Sequence, residues 1–97
     1  MAQPIYITIN HMEPDYLRSG KMLNLCKERE NAVDDESIGV LDDKAHIGYV
    51  ANSVATVARG TWSAGRLYDK IGENCTCKVL FVMDDSAIAE IVEDDRQ

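Results

Sequence analysis

Apolar side chains recur at every second residue in short runs along this chain, a period that suits an extended backbone with one buried face. Ile5, Ile7 and Ile9 alternate with Tyr6, Thr8 and Asn10, and Leu23 and Leu25 share one face of Met22–Lys27. Residues 37–41 and 46–50 flank Asp42, Asp43, Lys44 and Ala45, a short polar link of the length a hairpin uses. Residues 75–83 carry the strongest strand signal, and the break at Met83, Asp84, Asp85 and Ser86 separates them from a last strand over residues 87–92. Six strands are therefore expected, in two closing hairpins and two single segments.

Helix signals are sparse and sit between the fourth and fifth strands. Asn52 can cap a short helix through Val54, Ala55, Val57 and Ala58, with Gly60 where a left-handed terminating residue belongs. Ser63 can cap a second turn or helix through Leu67, Tyr68 and Ile71 before Gly72. Residues 11–20, with Pro14, Asp15, Ser19 and Gly20, read as a surface loop, and 28–36 as a charged one. One or two short helices are too few for a parallel βαβ sheet. The expected fold is a mainly β, six-stranded, mostly antiparallel OB-like barrel, which leaves few bare strand edges.

The 97 residues suit one domain over 1–92, with 93–97 as a flexible acidic tail. No run approaches the ~20 apolar residues of a membrane helix, and the start MAQPIYITIN has neither the basic nor the apolar region of a signal peptide. The expectation is a cytoplasmic protein away from membranes. Cys26, Cys75 and Cys77 are too few for a disulfide framework, so reduced thiols are expected. Seventeen acidic residues against ten basic ones leave a formal charge of -7, which repels nucleic acid at long range, so any nucleic-acid site must be local.

Most constellations that carry chemistry are absent or have a plainer reading. Cys75 and Cys77 lie two apart on a strand, and Cys26, His11 or His46 could complete a zinc site, but an extended C-x-C does not fold readily around one ion. Burial as small hydrophobes is the expected role of these thiols, without metal or cofactor. Asp42, Asp43, Asp84 and Asp85 sit at turns that favour aspartate, and Asp34, Asp35 and Glu36 cluster nearby. Pro14 and Asp15 with Asp42, Asp43 and Lys44 echo a metal-dependent nuclease, yet Lys44 falls at a hairpin tip and the match is short. No G-x-S-x-G, phosphate-binding glycine loop or Ser with paired His and Asp is evident, so a binding module is expected and not an enzyme. Residues 60–70 place Trp62 and Tyr68 among Arg59, Arg66 and Lys70, the stacking and positive charge a single strand needs; alternatively, the two aromatics cover one end of the barrel.

The run from Lys27 to Val40 (KERENAVDDESIGV) followed by His46-Ile47-Gly48-Tyr49-Val50 resembles the HIRAN domain, in its stand-alone bacterial form. The likeness extends from about Ile5 to Val92 and includes Gly48 to Ser53 and Ser63 to Arg66. It implies a modified oligonucleotide-binding barrel and, from helicase-fused relatives, recognition of the 3′-hydroxyl end of single-stranded DNA. By position, Asp34 matches the aspartate that meets the strand's end, and Tyr49 and Asn52 fall where the family places polar or basic contacts. Val33 stands where DNA-binding relatives have an aromatic, and Ala51 and Asn52 replace basic residues.

The expected nucleic-acid surface thus comprises Asp34, Tyr49, Asn52, Arg66 and Lys70, with Asn31 and Gly48 as structural motif residues. Asn31 and Asp34 can equally fix the turn entering the third strand through backbone hydrogen bonds. The expected function is a module for single-stranded DNA or DNA ends. The alternative is a protein-interaction or regulatory module whose acidic surface meets a basic partner.

Overall fold

The computed structural model describes residues 4–10, 17–28, 37–43, 45–53, 56–84 and 86–94. The alternating segments form β1 (Tyr6–Asn10), β2 (Met22–Lys27), β3 (Ile38–Asp42), β4 (Ala45–Val50), β5 (Cys75–Val82) and β6 (Ser86–Asp94), with one helix, α1 (Ala64–Tyr68). The strands close into a barrel in the order β1-β4-β3-β2-β5-β6, and every neighbouring pair is antiparallel. Closure follows from the amphipathic strands: Ile7, Ile9, Leu23, Leu25, Ile38, Val40, Cys75, Cys77, Val79, Ala87 and Ala89 all turn inward and are buried. The expected OB-like architecture is therefore the observed one.

Three bulges break the period of two, and two of them re-aim an aromatic side chain. Between β3 and β4, Val40 faces Gly48 and Leu41 faces His46, so Ile47 is the extra residue. Ile47 and Gly48 are both buried as a result, while His46 and Tyr49 stand on the outer face. Between β5 and β6, Val79 faces Ala89 but Phe81 faces Ile88, so Leu80 is extra. An unbroken alternation would carry Phe81 inward after Cys77 and Val79; the bulge sends it outward instead.

The helix lies one segment later than the first expected helix. The described residues at 52–60 make turns and no helix, the Thr56 and Val57 N–H groups both donating to the Ser53 carbonyl and the Thr61 N–H to that of Ala58. Asn52 does cap a helix, but that helix is α1: its Oδ1 accepts the Gly65 N–H at 2.7 Å, while Ser63 Oγ accepts the Arg66 N–H at 3.3 Å. Two of the orphan donors at the start of α1 are thereby satisfied from two chain segments. Gly60 has the expected left-handed backbone, φ +88°, within the connection.

The connection from β4 to α1 is fastened to β1 by a closed ring of hydrogen bonds. Thr61 Oγ1 donates to the Ala58 carbonyl at 2.7 Å, and the Ala58 N–H donates to Thr8 Oγ1 at 3.1 Å. Thr61's single hydroxyl proton being used, the 2.9 Å contact between the two threonines has Thr8 as donor. Thr8 is 2% exposed, so its hydroxyl is satisfied by this ring and not by water. The Trp62 N–H then donates to the Tyr6 carbonyl at 2.8 Å, extending the cover along β1.

β6 runs to Asp94, two residues into the segment read as a tail, because Glu93 and Asp94 pair with Thr76 and Cys75 at the start of β5. Among the described residues no helix is long and apolar enough to cross a membrane.

Candidate functional site

The antiparallel registers bring the end of β2, the start of β3, the end of β4 and the start of β5 to one end of the barrel, and α1 covers it. Ala64 and Leu67 of α1, with Ile71 just beyond, are buried in the core, and Trp62 and Tyr68 pack partly buried against it. Both aromatics carry a cation. The Arg66 guanidinium lies 4.1 Å from the Trp62 ring centroid, and Lys27 Nζ lies 4.7 Å from that of Tyr68. The two aromatics cover this end of the barrel, as the alternative reading expects, and each has a cation above its face.

Beside this cap, on the outer face of β3 and β4, lies a polar cluster that sequence reasoning did not assemble. Glu28 Oε1 accepts the Ser37 hydroxyl at 3.0 Å, Glu28 Oε2 is 3.2 Å from His46 Nε2, and the His46 ring meets Tyr49 edge-on at 4.6 Å. Gly39 permits this. A Cβ there would stand 2.8 Å from His46 Nε2 and 3.0 Å from Glu28 Oε2. The sequence signal is an isolated glycine within an apolar strand, which marks a close approach.

The cluster also joins Glu28 to Ser37, the two ends of the expected loop that contains Asn31 and Asp34. The Glu28 N–H donates to the Ser37 carbonyl at 2.8 Å, alongside the Ser37–Glu28 side-chain bond. The loop's two ends are thus clamped two residues from Gly39, which faces Tyr49. Asn31 and Asp34 themselves lie outside the described residues, as do His11, Pro14, Asp15 and Lys44 of the zinc and nuclease alternatives.

Of the other sequence-derived residues, Tyr49 is half-buried on β4, and Gly48 is buried opposite Val40. Asn52 is exposed, with Oδ1 engaged by α1; Arg66 projects from α1, and Lys70 is exposed just past its end. The Asn52 bond draws the end of β4 onto α1, so Tyr49, Asn52 and Arg66 belong to one region. The thiols diverge: Cys75 and Cys77 are buried and Cys26 is exposed. Burial, and secondarily the neighbouring Cys75 thiolate, pushes the Cys77 thiol up to about 12. Among the described residues, no three His, Cys, Asp or Glu side chains converge as a metal site.

Gly39→Ala is expected to separate Glu28 from His46 while keeping the fold, since both obstructing atoms are the ends of side chains. The Glu28–His46 contact is partly exposed and contributes at most about 1 kcal/mol, so the melting temperature should move by only a few degrees. The His46 and Tyr49 ring resonances should shift strongly. Unchanged ring resonances would mean that the glycine is not what lets the cluster form.

No family model, curated protein or solved structure matches this chain.

Proposed function

We propose that the chain is a nucleic-acid-binding module for single-stranded DNA or DNA ends, acting at the barrel end covered by α1. The observation that supports this reading best is the Arg66–Trp62 stack. A guanidinium lying on an aromatic face keeps its N–H edge available for phosphate. Lys70, exposed past α1, adds a second charge, and Tyr49 and the Glu28–Ser37 clamp lie on the neighbouring strands. The reading also draws on the resemblance of residues 27–53 to the HIRAN pattern.

The net charge of -7 works against this role, so binding should be weak and steeply dependent on salt. Fluorescence anisotropy with a labelled single-stranded oligonucleotide tests it. The logarithm of affinity should fall with the logarithm of salt by roughly 0.7 per neutralised phosphate. Arg66→Ala and Lys70→Ala should each flatten that slope by about one such contact. Tyr49→Ala should weaken binding by about 1 to 3 kcal/mol if a base stacks on its ring. A 3′-phosphate should weaken binding further if Asp34 receives the 3′-hydroxyl. Absence of binding at low salt would sink the proposal.

A second reading, a protein-interaction module, is favoured by a separate observation: the chain's one phenylalanine, Phe81, is 63% exposed, with Met83 44% exposed beside it.

A further inference from the structure

Phe81 does not stand alone on the surface. It forms one wall of an open groove of about 590 Å3 with Leu80, Met83 and Ile88, and the other wall is Tyr6 with the 58–61 segment. The groove is built rather than incidental, on two grounds. The β5 bulge at Leu80 is what turns Phe81 to the outer face beside Ile88, at the expense of regular pairing. The opposite wall is held by the Thr8, Ala58 and Thr61 ring of hydrogen bonds and by the Trp62–Tyr6 backbone bond, so it is preorganised.

We propose that this groove docks an extended segment of a partner protein that has two large apolar side chains and a basic flank on one side only. This rests on the second reading above. The groove is open, with Phe81 largely and Met83 partly in solvent, so an occupant keeps one side in water; a small ligand needs most of its surface enclosed. The charge of -7 favours encounter with a basic partner and opposes a second copy of the chain. The closed barrel, with both neighbours of every strand filled, offers a second copy no edge to extend. The rim fixes the direction. Asp84 is exposed next to Met83, whereas Arg59 lines the other wall, so the basic flank belongs at the Asp84 side and the Arg59 side takes a neutral or acidic one.

The test uses the full chain and an array of fluorescein-labelled 12-residue peptides. Their central pair runs through Leu, Ile, Phe, Met and Trp, with three lysines on one flank and serine elsewhere. Matched controls carry glutamate for lysine or an Ala-Ala centre. Anisotropy should show saturable binding by lysine-flanked apolar peptides and at least ten-fold weaker binding by both controls. Phe81→Ser should weaken binding at least ten-fold while leaving the melting temperature within a few degrees, because the ring is largely solvated already. Asp84→Ser should weaken binding several-fold, and Arg66→Ala should leave it unchanged. Equal binding of lysine and glutamate peptides would overturn the basic-flank assignment while leaving the interaction reading standing. Binding insensitive to Phe81→Ser, or no peptide bound at millimolar concentration, would overturn both. A dimer in sedimentation velocity that Phe81→Ser dissolves would give the groove to a second copy and overturn the proposal.

Discussion

Leu67→Ala should cost the folded chain about 3 kcal/mol or more. Leu67 is fully buried and is the largest buried side chain of α1, between Ala64 and Ile71. Truncation removes the transfer free energy of its methyl groups and leaves a cavity. The barrel strands around it are tied to one another on both sides and can collapse only partly. For a domain of this size a loss of that order lowers the melting temperature by roughly 12 to 24 °C. Arg66→Ala, one residue earlier, removes an exposed cation–aromatic contact and should cost about 0.5 to 1 kcal/mol. Thermal unfolding of the pair separates the two roles of α1, closure of the barrel and presentation of charge. A shift of less than about 4 °C for Leu67→Ala would show that α1 does not close the core.

The strands were legible because their pattern is local. Ile5, Ile7 and Ile9, or Leu23 and Leu25, declare an inner and an outer face without reference to any other part of the chain. The helix was not placed correctly from its first signal, and the reason is tertiary. Asn52 and Gly60 carry the chemistry of a cap and a left-handed turn and perform both, but Asn52 reaches thirteen residues along to Gly65. A capping residue indicates that a helix start is near in space, and only by default near in sequence.

The same distinction separates the legible from the illegible parts of the candidate site. Tyr49, Arg66 and Lys70 could be singled out from sequence because each lies in a short motif or an aromatic and basic cluster. Glu28 and His46 are eighteen residues apart and meet only because β2, β3 and β4 pair in this register with Gly39 between them. Phe81 was hidden for the opposite reason. The period set by Cys75, Cys77 and Val79 points it into the core, and one extra backbone residue at Leu80 reverses that direction. Bulges depend on pairing with a partner strand, so a period read along one strand cannot reveal them.

Raising the pH above 9 should destabilise the folded chain through Cys77. Its side chain is fully buried among apolar neighbours, and burial, followed by the charge of Cys75, lifts its thiol from an ordinary 9.0 to about 12. Hydrogen bonds from the Leu23 and Cys77 backbone N–H groups offset this only in part. Below pH 9 the folded and unfolded chains both keep the proton, and the contribution to stability is fully present. Between 9 and 12 the unfolded chain releases it while the folded chain retains it, so the unfolding free energy falls by about 1.4 kcal/mol per pH unit from this group alone. Integrated over the window, that amounts to several kcal/mol, enough to unfold a domain of ordinary stability. The comparison is with Cys77→Ala, which keeps every other group and removes this thiol. Urea midpoints measured at pH 8, 9, 10 and 11 should fall more steeply for the native chain than for the variant, whatever the variant's lower starting stability. Parallel slopes would mean that the Cys77 thiol titrates alike in the folded and unfolded chains, and that the interior of the barrel near Leu23 is open to water.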